Sequence, residues 1–88
     1  MKKFLIYSSN TCSYCLSAKS LLENLELSFQ EKIIDNSDEI KQEMYERSNG
    51  KKTVPQIFYG EFHIGGYDDL SDLHKKGELM RLLDENKL

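Results

Sequence analysis

The two cysteines of this chain, Cys12 and Cys15, are separated by two residues. This spacing suits thiol–disulfide exchange, in which one thiolate attacks a disulfide and a second thiol resolves the mixed disulfide. Two further interpretations compete with it. The pair could contribute thiolates to a metal site, or Cys15 could be a small core residue with no chemistry.

The elements around the pair favour the redox interpretation. A continuously apolar run predicts a central strand over Lys3–Tyr7, and apolar residues every three or four positions predict a helix from Cys12 to about Leu25. A thiol at a helix start faces unpaired N–H groups and the positive end of the helix dipole, and both favour the thiolate. We therefore assign Cys12 as the nucleophile and Cys15, one turn further in and more buried, as the resolving thiol.

The rest of the chain predicts an α/β fold in the order β-α-β-α-β-β-α-α. The predicted elements are a strand over Phe29–Ile34, a helix capped by Asn36 with Glu39 and ending near Ser48, a strand over Gln56–Tyr59, a hairpin at Gly60-Glu61, a strand over Phe62–Ile64, a helix capped by Asp68 or Asp69, and a last helix reaching about Asn86. The first β-α-β unit must be a parallel right-handed crossover, whereas the hairpin is antiparallel. We expect a mixed four-stranded sheet with helices on both faces, in one domain over residues 1–88.

Composition excludes several classes of protein. The formal net charge is −3, so no basic excess exists for binding nucleic acid through its phosphates. No apolar segment approaches the roughly 20 residues of a membrane span, and the apolar run after Lys2-Lys3 is too short for a signal peptide. Two cysteines are too few for the disulfide framework of a small secreted domain. We therefore expect a cytoplasmic protein.

The histidines and the proline give weaker signals. His63 and His74 are not spaced with the cysteines as zinc ligands are, so we expect no metal site. We interpret His63 as a strand-surface residue and His74 as a solvated helix residue. Val54-Pro55 stands at a strand entry, and the general preference for trans, with cis in only about 5–6% of X-Pro bonds, does not favour a cis bond there.

Three segments together resemble the glutaredoxin family, in its dithiol, bacterial-type branch with a Cys-Ser-Tyr-Cys active site. They are Thr11–Cys15, Thr53–Phe58 and Gly65–Leu70, and they occur in the family's order and spacing across nearly the whole chain. The resemblance implies a thioredoxin-like fold with Val54-Pro55 in the cis form beside the cysteines.

The resemblance also implies a groove for glutathione between the three segments. Cys12 would form a mixed disulfide with the tripeptide, Tyr14 would flank it, and the Val54 backbone would pair with it as an added strand. The glutathione-binding residues implied are Cys12, Tyr14, Lys41, Thr53, Val54, Pro55, Gly66, Tyr67, Asp68 and Asp69. The last four would receive the γ-glutamyl end; without the resemblance, Gly65-Gly66 would be only a turn and the two aspartates only caps.

This chain departs from the family pattern at two places. Ser8-Ser9-Asn10 lacks the lysine that many relatives use for the glycine carboxylate of glutathione, so we expect Lys41, or else Lys51 or Lys52, to replace it. Ser13 stands where the commonest dithiol members have proline. Some relatives with serine there resemble iron–sulfur proteins, in which the first cysteine of each of two chains and two glutathione thiols hold a [2Fe–2S] cluster, here with Cys12 as the ligand.

The leading interpretation is a monomeric, glutathione-dependent oxidoreductase with a redox-active Cys12–Cys15 pair. It would reduce protein disulfides and protein–glutathione mixed disulfides in electron transport and cell redox homeostasis, with glutathione reductase as an indirect partner. Ribonucleotide reductase is an acceptor suggested by resemblance alone. The alternatives are a [2Fe–2S]-bridged homodimer that carries clusters or senses redox state, and a donor reduced by thioredoxin reductase, against which Tyr14 and the Gly66–Asp69 segment argue.

Overall fold

The computed structural model describes residues 3–85. The elements follow the predicted order: β1 (Phe4–Ser8), α1 (Ser13–Asn24), β2 (Phe29–Ile33), α2 (Asp38–Arg47), β3 (Gln56–Tyr59), β4 (Phe62–Gly65), α3 (Tyr67–Lys75) and α4 (Glu78–Glu85). The first strand begins and ends one residue later than predicted. The predicted end of the last helix, near Asn86, lies outside the described residues.

The four strands form one mixed sheet in the order β2-β1-β3-β4. β1 pairs with β2 in parallel and with β3 antiparallel, and β3 and β4 form the antiparallel hairpin. The central place of β1 explains its continuously apolar sequence, because both faces of this strand are covered. The predicted sheet is confirmed.

Alternate side chains of the strands enter two hydrophobic clusters on opposite faces. Phe4 and Ile6 of β1 lie in the larger cluster, with residues of α1, α3 and α4. Tyr7 lies in the smaller cluster on the other face, where it meets Met44 of α2 and Phe58 of β3. The sheet is therefore covered by helices on both faces.

Two predicted helix caps are wrong in detail. Ser37, not Asn36, caps α2: its hydroxyl accepts a hydrogen bond from the Ile40 N–H at 3.3 Å. Asn36 has φ +61° and forms the turn after β2, a left-handed conformation that asparagine tolerates. Gly66 takes the N-cap position of α3, and Asp69, three residues later, accepts a hydrogen bond from the Gly66 N–H at 3.0 Å.

Candidate active site

Cys12 lies at the N-cap of α1, as predicted. Its Sγ atom accepts a hydrogen bond from the Cys15 N–H at 3.1 Å, one of the N–H groups that the helix leaves unpaired. The same sulfur lies 3.7 Å from the carbonyl oxygen of Val54, and it is partly exposed. Cys12 is thus a reachable sulfur that lies at a helix N-terminus and accepts a hydrogen bond from one of its N–H groups.

Cys15 is a free thiol that is only 1% exposed. Burial, with a smaller contribution from its hydrogen bond to Cys12, raises the pKa of this thiol to about 12. At neutral pH it therefore keeps its proton while Cys12 faces the solvent. The two sulfurs differ in the way that an attacking and a resolving thiol require.

A charged pair near Cys15 was not predicted. Lys19, one turn beyond Cys15 on α1, donates to the Glu31 carboxylate at 2.8 Å, and the buried Ser8 hydroxyl donates to the same oxygen. These two hydrogen bonds lower the pKa of Glu31. The positive charge of Lys19 opposes the effect of burial on Cys15. The only signal in the sequence for a charge near Cys15 was the spacing of four residues between Cys15 and Lys19.

Asp35 braces the loop before Cys12. Its two carboxylate oxygens accept hydrogen bonds from the Asn10 N–H at 2.9 Å and the Ser9 hydroxyl at 2.8 Å. These bonds, and more weakly the charge of Lys41, lower the pKa of the Asp35 carboxyl. The sequence did not predict this contact, because nothing local links Asp35 to a loop about 25 residues earlier in the chain.

The segment Thr53–Pro55 lies directly beside Cys12. The Val54-Pro55 bond is cis, as the resemblance implied and as the residues alone did not indicate. Val54 lies outside every described helix and strand, two residues before β3. Val54 is not among the residues paired in the described sheet.

A cavity of about 490 Å³ adjoins this segment. Its lining includes residues of the loop and of β3: Lys51, Thr53, Val54, Pro55 and Gln56. The lining also includes the end of β4 and the start of α3: Ile64, Gly65, Gly66, Tyr67, Asp68 and Asp69. Tyr14 and His63 complete the lining, and the rings of Tyr14 and Tyr67 stack with their centroids 6.2 Å apart.

Most of the residues that the resemblance assigns to glutathione line this cavity. Cys12 is not part of the lining, but its Sγ atom lies 3.7 Å from the carbonyl oxygen of Val54, which is part of it. Lys41 is outside the lining and lies near Asp35, whereas Lys51 is in the cavity wall. His63, interpreted from the sequence as a surface residue, is half-buried and reaches the cavity. His63 is half-buried because it pairs with Phe58 across the hairpin and its ring stacks on the Phe58 ring.

Among residues 3–85, no group of three or more histidine, cysteine, aspartate or glutamate side chains is placed to hold a metal ion. The bridged cluster suggested by the resemblance would take only Cys12 from each chain, so it stays a prediction. Within the same range, no helix is long and apolar enough to cross a membrane.

Comparison with known proteins identifies the relatives of this chain. A family model described as Glutaredoxin matches residues 4–64. Glutaredoxin 3 of Escherichia coli (strain K12) is 50% identical over 78 residues, covering 89% of this chain and 93% of the relative.

Solved structures agree with the sequence comparison. The solution structure of glutaredoxin from Brucella melitensis is 42% identical, covers 100% of this chain and 95% of that chain, and has a TM-score of 0.82. The crystal structure of the buckwheat glutaredoxin–glutathione complex is 29% identical, covers 96% of this chain and 78% of that chain, and has a TM-score of 0.83. These likenesses confirm the predicted thioredoxin-like fold.

Proposed function

Since this chain belongs to the glutaredoxin family and is thus a thiol–disulfide oxidoreductase, we propose that it uses glutathione as its reductant and works through both cysteines. The observation that carries this proposal is the cavity beside Cys12. Its volume, about 490 Å³, falls within the roughly 300–1,000 Å³ of small-molecule sites. A tripeptide whose thiol meets Cys12 can extend from there along Val54 to the start of α3.

Each end of the cavity offers chemistry that suits one end of glutathione. At the α3 end, the first N–H groups of the helix suit the α-carboxylate of the γ-glutamyl group, and Asp68 or Asp69 suits its ammonium. Lys51 is the better-placed cation for the glycine carboxylate, because it lines the cavity while Lys41 does not. The Val54 main chain, between these ends, would pair with the cysteinyl residue. The relative crystallised with glutathione supports this assignment by analogy.

The chemistry begins with the Cys12 thiolate. It attacks the glutathione sulfur of a protein–glutathione mixed disulfide; a Cys12–glutathione disulfide forms and the protein leaves as a thiolate. A second glutathione thiolate then attacks the bound glutathione sulfur, which yields oxidised glutathione and regenerates the Cys12 thiolate. One free glutathione is thus consumed in each turnover, and the oxidised glutathione joins it to the glutathione that the substrate carried.

Protein disulfides require Cys15. After Cys12 forms a disulfide with one substrate sulfur, Cys15 loses its proton and attacks Cys12, which releases the reduced substrate and leaves a Cys12–Cys15 disulfide. Two glutathione molecules reduce that disulfide. This proposal places a monomer in the cytoplasm, where glutathione reductase maintains the reductant, with ribonucleotide reductase as one acceptor suggested by family resemblance.

A coupled NADPH assay with a glutathionylated peptide tests the proposal. We expect turnover with glutathione plus glutathione reductase, and none with thioredoxin reductase alone. Cys12→Ser should abolish turnover. Turnover with thioredoxin reductase in the absence of glutathione, or an active Cys12→Ser variant, would show that the proposed reductant or nucleophile is wrong.

A further inference from the structure

A chain of hydrogen bonds links β4 to the loop beside Cys12. The Gln56 side-chain nitrogen donates to the Thr53 carbonyl at 3.0 Å and lies 3.2 Å from the Thr53 hydroxyl. The other end of that amide, Oε1, lies 2.7 Å from Nε2 of His63. Gln56 is buried, so its amide has few other partners. His63, Gln56 and Thr53 thus form one continuous polar connection across the hairpin.

The direction of each hydrogen bond follows from the groups involved. A carbonyl oxygen can only accept, so Gln56 must turn its NH₂ group to Thr53 and its oxygen to His63. That oxygen carries no proton, and Nε2 of His63 must therefore be the donor. Burial lowers the pKa of His63, with Asp69 raising it and Lys51 lowering it less strongly. The neutral ring at neutral pH is accordingly the Nε2–H tautomer.

The His63 ring is itself held in place. It stacks on Phe58, its cross-strand neighbour, with centroids 4.6 Å apart and planes 19° apart. Phe58 is fully buried in the cluster under α2. The imidazole therefore contacts the Phe58 ring by stacking and the Gln56 amide by a hydrogen bond.

We propose that His63 is a positioning residue for glutathione, and that it acts through Gln56 on the Thr53–Val54 main chain. The inference rests on the proposed function. Without a donor at position 63, the buried Gln56 oxygen loses its partner and the amide is free to rotate away from the Thr53 carbonyl. The loop whose Val54 carbonyl lies 3.7 Å from Cys12 Sγ then loses its support. Glutathione binding should suffer, whereas the sulfur chemistry of Cys12 should not.

Three variants distinguish the effect of losing the His63 N–H donor from the effect of losing its ring. His63→Phe keeps an aromatic ring against Phe58 but removes the N–H, while His63→Gln loses the ring and restores an N–H near the same place. His74→Phe is the matched control, because His74 lies on α3 outside the cavity lining. The measurement is kcat and KM for a glutathionylated peptide with glutathione and glutathione reductase, alongside the melting temperature of each variant.

We expect His63→Phe to raise KM about three- to tenfold with little change in kcat, the factor that one hydrogen bond carries. His63→Gln and His74→Phe should stay within about twofold of the wild type. An unchanged KM in His63→Phe, even with a lower melting temperature, or an equal rise in His63→Gln would overturn the inference.

Two further results distinguish failure of the inference from failure of the proposed function. If the wild type shows no glutathione-dependent turnover, the proposed function fails and the inference fails with it; normal wild-type turnover with an unaffected His63→Phe defeats the inference alone. Nitrogen-15 NMR of the wild type should show the Nε2–H tautomer of His63. The Nδ1–H tautomer would contradict the chain of hydrogen bonds even where a variant does not fold.

Discussion

Gly65, at the end of β4, allows a quantitative test of how the cavity wall at the start of α3 is built. It has φ +118°, a conformation that residues with side chains rarely adopt, and a Cβ atom there would collide with the Asp69 carboxylate. That carboxylate accepts the hydrogen bond from the Gly66 N–H at the start of α3. Gly65→Ala should therefore strain the backbone and also displace a contact that holds the helix start.

The two effects have separate magnitudes. Backbone strain costs of the order of 1–3 kcal/mol. Loss of a hydrogen bond to a charged group costs about 1.5–3 kcal/mol more. Against a total stability of about 5–15 kcal/mol for an ordinary domain, Gly65→Ala should leave a folded but clearly weakened protein.

Gly50→Ala is the matched control for the strain. Gly50 also has a positive φ, +88°, but nothing lies within 4 Å of the place a Cβ would take. Both substitutions restrict the unfolded chain equally. The difference between them therefore reports the collision with Asp69 together with the extra strain of the larger φ at Gly65. It should amount to about 1.5–3 kcal/mol, or a melting temperature at least about 6 °C lower for Gly65→Ala.

Urea denaturation of both variants, and of each combined with Asp69→Ala, measures this difference. In the Asp69→Ala background the carboxylate is gone, so the extra free-energy cost of Gly65→Ala over Gly50→Ala should shrink. Equal costs in the wild-type background would refute the reasoning, because the collision would then contribute nothing. KM for a glutathionylated peptide should rise in Gly65→Ala and stay unchanged in Gly50→Ala, which lies outside the cavity lining.

Three further predictions concern the cysteines, the lysines and acid stability. Cys15→Ser should retain reduction of glutathione mixed disulfides and lose reduction of protein disulfides; retention of both activities in parallel assays would show that Cys15 does not resolve. Lys51→Ala should raise KM for glutathione about two- to fivefold while Lys41→Ala leaves it unchanged, and unchanged values in both would remove the lysines from the site. The pKa of Glu31 in the folded protein is below its ordinary 4.5. The stabilisation that its ionised carboxylate gives the fold is therefore complete above pH 4.5 and is lost as the pH falls through the pKa of the folded state. Urea titrations from about pH 5 to pH 3 should thus show a shallower loss of stability in Glu31→Gln than in the wild type, and identical slopes would contradict this.

The sequence predicted the architecture well because the apolar periods of its segments were clear. An unbroken apolar strand, Phe4–Ser8, had to be central, and a two-residue turn before Phe62 had to make a hairpin. The caps were less certain because neighbouring residues compete. Asn36 and Ser37 can both cap a helix, and only the backbone angles decide between them.

The positions of Cys12 and Cys15 could be predicted for a similar reason, since the polarity of a helix start is local information. The cavity opposite them could not, because it joins segments about forty and fifty residues further along the chain. Only the family resemblance connected them, and only that resemblance indicated the cis bond at Val54-Pro55. The residues alone, without the resemblance, predicted neither the cavity nor the cis bond.

The residues that sequence reasoning missed are those whose partners depend on the sheet register. Asp35 reaches Ser9 and Asn10 because β2 ends beside β1, and His63 meets Phe58 and Gln56 because the hairpin pairs residue 58 with residue 63. Shifting that pairing by one residue would turn the His63 side chain to the opposite face and away from Gln56. The support of the Thr53–Val54 loop is therefore a property of the β3–β4 register, which is why a histidine eight residues after the only proline can matter for chemistry at Cys12.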